Sequence, residues 1–211
     1  LHFRFGHTSI LQYTNALFNN NIFKENGILL PAAIIFSSII LFIYTELKKS
    51  FFKNKTYTAY LFLVLIYILY KYNRYSEFGN DVIAHLILIT TTVYFLKINF
   101  DVSTNQKEFS KVISLSLFCF MLKPTVILVL LLPLYCSYFY FNFNYKNLIQ
   151  FSNFLMFFFI TIWVLKNIII SGCFIYPIEL TCFDSLPWFS NDNAFAIAPS
   201  IQSLDNEAWT K

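Results

Sequence analysis

Residues 26–45, NGILLPAAIIFSSIILFIYT, run for twenty positions without a charge. A helix needs about 20 apolar residues to cross a bilayer core of about 30 Å. In lipid a helix is also one of the few structures that satisfy their own backbone. Further apolar runs follow at 56–72, 82–97, 108–122, 125–141 and 147–165. The repetition predicts an all-α integral membrane protein with about six transmembrane or re-entrant helices and outer-face loops. Only 12% of residues are charged, against 57% hydrophobic and 21% aromatic. A soluble domain carries about 25% charged residues. Residues 1–211 read as a single transmembrane domain, with 166–211 as an outer-face segment after the last run.

The runs differ in detail. Pro31 lies near the start of the first, where a missing N–H costs little. The second has tyrosines at both ends, an interfacial pattern, with Lys71 placed to snorkel. The third follows GND, in which Asn80 or Asp81 can cap a helix. Residues 108–145 would measure about 57 Å as one helix. Lys123-Pro124 interrupts them, and a lysine at mid-bilayer costs roughly 2.5–3.5 kcal/mol. A break at Pro124 moves Lys123 to a surface or a polar cavity. The two halves then cross twice or form a re-entrant hairpin, and the chain returns to the side it came from.

Basic residues in short connections face the cytoplasm. Lys48, Lys49, Lys53, Lys55, Lys97, Lys107, Lys111 and Lys146 cluster at one set of run ends. Apart from Lys71, the other lysines and arginines are spread over residues 1–25, 72–81 and 166–211 and the Lys123 break. Residues 1–25 and 166–211 are therefore expected on the outer, periplasmic face of a bacterial inner membrane. The scatter of charge between apolar runs gives no nucleic-acid patch. The expected partner is the lipid bilayer.

Most acids fall on the expected outer side, so a site is sought there. His2, His7 and His85 form no metal-binding spacing, so no metal is expected. Arg4 and His7 lie three apart and can hold a phosphate from one helix face; an interfacial arginine with a solvated histidine reads equally simply. Asp81 and His85, four apart, can pair beside a polar cavity, or be a cap followed by a satisfied histidine. Lys123 is a functional candidate because apolar segments flank it; a surface turn lysine is the plain alternative. Cys119 and Cys136 sit inside apolar runs as packing residues. Cys173 and Cys182, nine apart around Tyr176-Pro177, can close a small disulfide loop in an oxidising compartment, or remain two half-buried thiols.

Three stretches resemble a group of bacterial multi-pass membrane proteins related to the GT-C glycosyltransferases, which include protein mannosyltransferases and lipid A aminoarabinose transferases. LHFRFGHTSI resembles their RFG-x-x-S segment, and GNDVIAHL their mid-chain acidic helix start. WVLKNIIISGCFIYPIELTCF resembles their W-x-x-(K/R)-N-x-x-x-S-G-x-x-x-Y-P motif, which a further W and E-x-W follow. The resemblance covers nearly the whole chain, and its SGCFIYP segment is the most specific part. It implies transfer of a sugar from a polyprenyl-phosphate donor to a cell-surface glycan or lipid acceptor, with no cofactor. Such chemistry needs a carboxylate for the acceptor and cations for the departing lipid phosphate. By resemblance, Asp81 is the acid candidate, while Arg4, His7, Lys123 and Lys166 are the lipid-phosphate candidates.

The family's key acid lies in a first outer loop that would precede Leu1. The chain begins without Met, residues 1–26 lack the basic n-region and apolar h-region of a signal peptide, and the last residues are NEAWTK. It is therefore expected to be an internal piece of a larger GT-C-like fold. Two rival readings follow. One is a non-catalytic or polymerase-like membrane component of surface polysaccharide biosynthesis. The other is a transporter, for which internal repeats and matching broken helices would be expected. The sequence shows no repeat and has four glycines, which ranks the transporter last.

Overall fold

Buried residues recur three or four positions apart along residues 39–50, 57–68 and 83–93, and these stripes organise the structure. The computed structural model describes residues 10–18, 29–52, 54–72, 80–100, 106–141, 151–175, 179–183 and 186, and every extended element among them is helical. In chain order these are α1 (Ile10–Phe18), α2 (Leu30–Ser50), α3 (Lys55–Tyr72), α4 (Asn80–Phe100), α5 (Gln106–Leu122), a 3-10 helix (Pro124–Leu130), α6 (Leu131–Phe141), α7 (Phe151–Ser171) and a short 3-10 turn (Glu179–Thr181). Three stretches are long and apolar enough to cross a membrane: Leu30–Ser50, Val82–Phe100 and Ser152–Ile170. The chain forms two units that divide within α7, one covering Ser9–Ile160 and the other including Thr161–Lys211.

In the first unit, α2 buries Ile39, Ile43, Glu46, Leu47 and Ser50, while α3 buries Tyr57, Leu61, Val64 and Ile68. These stripes pack on each other and on α4. The outward faces are apolar as well, with Ile34, Leu41, Phe62, Leu63 and Ile66 exposed. A helix greasy on every side suits lipid on one face and protein on the other. The α2–α3 connection is tight because Asn54 caps α3, its Oδ1 accepting the Tyr57 N–H at 3.1 Å. Thr58 Oγ1 donates across the turn to Ser50 Oγ at 3.1 Å.

Helix α4 is the central element. Phe42 stacks on Tyr94 at 4.5 Å from α2, and Phe95 meets Tyr135 at 5.5 Å from α6. Tyr60 on α3 shares a 2.8 Å hydrogen bond with Thr92, and Tyr140 on α6 donates to Asn99 Oδ1. Helix α5 runs antiparallel to α4, with Cys119 Sγ donating to the Ala84 carbonyl at 3.5 Å.

At Lys123 the backbone turns extended (φ −147°, ψ 98°). Proline at 124 disfavours helical geometry in the residue before it, which ends α5 there. The 3-10 helix and α6 then fold back, so that Cys136 shares a buried cluster with Phe109, Val112 and Ile113 of α5 and Ile98 of α4. The 3-10 helix is kinked at Val126 (φ −90°, ψ 28°).

Several helix ends differ from the sequence expectation. Helix α2 continues to Ser50 instead of stopping at 45, which brings Glu46 into the packed face. Helix α7 continues to Ser171 rather than ending at 165, so Lys166 lies inside a helix and not at the start of a loop. The reason is the run of three isoleucines at 168–170, which extends the helix until Gly172 adopts φ 74°, the left-handed geometry that glycine supplies at helix ends. Helix α1 falls within the stretch expected only to face outward. It buries Leu11 and packs on α2 and α5.

Candidate functional site

Alternating charges connect three helices at one end of the first unit. Glu46 on α2 is 5% exposed. Its Oε1 lies 3.1 Å from Lys97 Nζ on α4 and 3.6 Å from Lys49 Nζ. Lys97 also approaches Glu108 on α5 at 3.6 Å, and Glu108 pairs with Lys111 at 3.3 Å. The Lys111 ammonium sits 4.9 Å from the Tyr94 ring centroid. Each acid is flanked by two cations, so neither carboxylate enters the bundle uncompensated.

Beside this network is a cavity of about 240 Å³ lined by Glu46, Lys49, Ser50, Asn54, Tyr57 and Lys97, with Phe100 at its edge. A second polar cluster binds α5 to the start of α7. Asn153 is fully buried, and its Oδ1 accepts from Ser110 at 2.8 Å and from Ser114 at 3.2 Å. Ser110 and Ser152 share a further 2.7 Å bond. Asn153→Ala removes the acceptor for two hydroxyls and is expected to cost about 1–3 kcal/mol. Unfolding of the detergent-solubilised protein in a denaturing surfactant measures it.

The opposite end of the same unit carries the residues that the sequence singled out. Asp81 is the second residue of α4, and its side chain lies outside the described residues. His85, one turn on, is half-buried. With Tyr60, Tyr67 and Leu88 it lines an open, mainly apolar groove of about 420 Å³. Lys123 is half-buried at the break between α5 and the 3-10 helix. Because α4 and α5 are antiparallel, with Cys119 against Ala84, Lys123 and Asp81 share this end. Arg4 and His7 lie outside the described residues.

Lys166 and the two outer cysteines belong to the second unit. The Lys166 ammonium lies 5.8 Å from the Trp163 ring centroid, a cation–π contact. Cys173 and Cys182 form a disulfide. They face each other in an antiparallel bridge, framed by Phe174 N–H to Thr181 carbonyl and Phe183 N–H to Gly172 carbonyl, both 2.9 Å. That is a non-hydrogen-bonded pair, where opposed side chains approach closest. Buried Asn167 donates to the Phe174 carbonyl at 3.2 Å, which ties the loop to α7. Phe174 and Phe183 meet edge to face at 4.9 Å. The SGCFIYPIELTCF stretch therefore ends α7 in a cross-linked loop.

A family described as Domain of unknown function (DUF8201) matches residues 1–203. The chain belongs to this family. Among curated proteins and among solved structures, nothing matches it. The LHFRFGHTSI, GNDVIAHL and WVLKNIIISGCFIYPIELTCF stretches lie within the matched residues, and the closing E-x-W lies outside them.

The Glu46–Lys97–Glu108–Lys111 network is absent from the sequence expectations. One signal was available: Glu46 follows the first apolar run directly, so continuing that helix by one turn carries the acid into the bundle.

Proposed function

We propose that the chain is a membrane glycosyltransferase-like protein of a bacterial inner membrane. In this reading a polyprenyl-phosphate sugar is the donor and a cell-surface glycan or lipid is the acceptor. The resemblance of three motifs supports it. The single structural observation that carries it is the antiparallel packing of α4 on α5, which puts the half-buried Lys123 at the same end as Asp81. A cation and an acid at one end are what the transfer requires: an ammonium for the departing lipid phosphate and a carboxylate for the acceptor.

The reading has six segments crossing the membrane or re-entering it, with Asp81, Lys123 and the Cys173–Cys182 loop on the periplasmic face. By the resemblance, Arg4, His7 and Lys166 are further phosphate candidates. The test uses the full-length protein in liposomes with radiolabelled polyprenyl-phosphate sugars. Lys123→Ala and Arg4→Ala are each expected to slow transfer about tenfold, as for loss of one charged hydrogen bond. Unchanged transfer in both variants removes the phosphate-holding assignment. No transfer from any polyprenyl-phosphate sugar by the unaltered protein favours a non-catalytic or polymerase-like component.

A further inference from the structure

The cavity beside Glu46 and Lys97 has features that an ion-pair clamp alone does not need. Tyr57 lines it and is 5% exposed. Its hydroxyl has no hydrogen-bond partner among the described residues. Buried hydroxyls are normally paired, so this enclosed hydroxyl beside the cavity is a donor left without an acceptor among the described residues. The rest of the lining is rich in donors. Lys49 and Lys97 bring ammonium groups, and Ser50 and Asn54 bring a hydroxyl and an amide. The one carboxylate, Glu46, already receives both lysines on a single oxygen.

The setting selects the charge and source of that acceptor. Lys48, Lys55 and Lys107 are exposed on the adjoining helix ends, so the surrounding field is positive. The Lys49 side chain is 71% exposed and can turn toward an incoming group while Lys97 holds Glu46. Phe51 and Phe52, 55% and 93% exposed at the α2–α3 turn, are apolar rings at a helix end, where apolar bodies rest at a headgroup boundary. Basic pockets between helices on this kind of face bind lipid head groups.

We infer that this cavity is a binding site for the phosphate of an anionic lipid headgroup, held by Lys49, Lys97 and the Tyr57 hydroxyl. It lies at the opposite end of the unit from Asp81 and Lys123, so it is distinct from the proposed donor site and does not depend on it.

The full chain in a neutral maltoside detergent tests this. Its unfolding midpoint is followed as phosphatidylglycerol or phosphatidylcholine is added at matched mole fractions, with sodium phosphate as a separate arm. Phosphatidylglycerol is expected to raise the midpoint saturably, and phosphatidylcholine to leave it unchanged. Tyr57→Phe and Lys49→Gln are each expected to raise the half-saturating concentration about tenfold, as for loss of a charged hydrogen bond. Lys48→Gln, on the same turn but outside the cavity, is expected to leave it within about twofold, as a surface charge acting through solvent. Equal rises with both lipids overturn the site, as does an unchanged half-saturation in both cavity variants. Loss in Lys48→Gln matching that in Lys49→Gln reduces it to general surface charge. A rise with sodium phosphate but not with phosphatidylglycerol overturns the lipid assignment in favour of a soluble phosphate compound.

Discussion

Lys97→Ala is expected to destabilise the Ser9–Ile160 unit by roughly 3 kcal/mol, near the low end for a broken buried ion pair. Lys97 is the middle charge of the network, and its loss strips a partner from Glu46 and Glu108 together. The Glu46 side chain is 6% exposed, and Lys49 alone remains to it at 3.6 Å. The figure sits at the low end because Lys97 is itself 21% exposed, so some water reaches the gap. Glu46→Gln with Lys97→Met should recover most of the loss, because that pair of changes leaves no stranded charge at Glu46. Surfactant-induced unfolding of the single and double variants measures both. A loss under about 1 kcal/mol for Lys97→Ala, the size of a surface pair, would show that the network is solvated and does not hold α2, α4 and α5 together.

Removing the Cys173–Cys182 disulfide should cost the second unit about 2–3 kcal/mol in the chain-entropy model for a loop of this length. The phenylalanine pair, the two backbone bonds and the Asn167 bond remain to hold the loop partly formed. Cys173→Ser also turns the loop into a topological probe, because it frees the Cys182 thiol while Cys119 and Cys136 stay buried. With the outer membrane permeabilised, a membrane-impermeant maleimide should label Cys182 in otherwise intact cells. Labelling only after lysis would put the loop in the cytoplasm and sink the outer-face assignment of residues 166–211. Limited proteolysis near residue 180 with and without reductant gives the stability arm, and equal rates would mean that the cross-link adds nothing.

Much of the architecture was legible one residue at a time. Pro124 removes a backbone donor and crowds Lys123 out of helical geometry, so the break in residues 108–141 followed from covalent chemistry. Uncharged runs marked the long helices because a span of lipid tolerates few charges wherever neighbours lie. Helix ends were less readable. Nothing local stops α2 at Thr45 or α7 at Leu165, and both continue because the next turn still has a face to bury. That extra turn places Glu46 in the packed interior and Lys166 inside a helix. The charge network of Glu46, Lys97, Glu108 and Lys111 therefore lies at the lysine-rich end, away from the expected outer face where most acids fall.

The sequence alone determined that this chain is built of apolar helices, where its basic residues concentrate and where it must turn back. Those properties depend on hydrophobicity, charge and proline geometry, which each residue carries by itself. Only the tertiary structure decided that Glu46, Lys97 and Glu108, 51 and 11 positions apart in the chain, form one network. The same holds for the cavity with Tyr57 on its wall. Burial and ion pairing are properties of several helices at once, and packing against α4 fixes them.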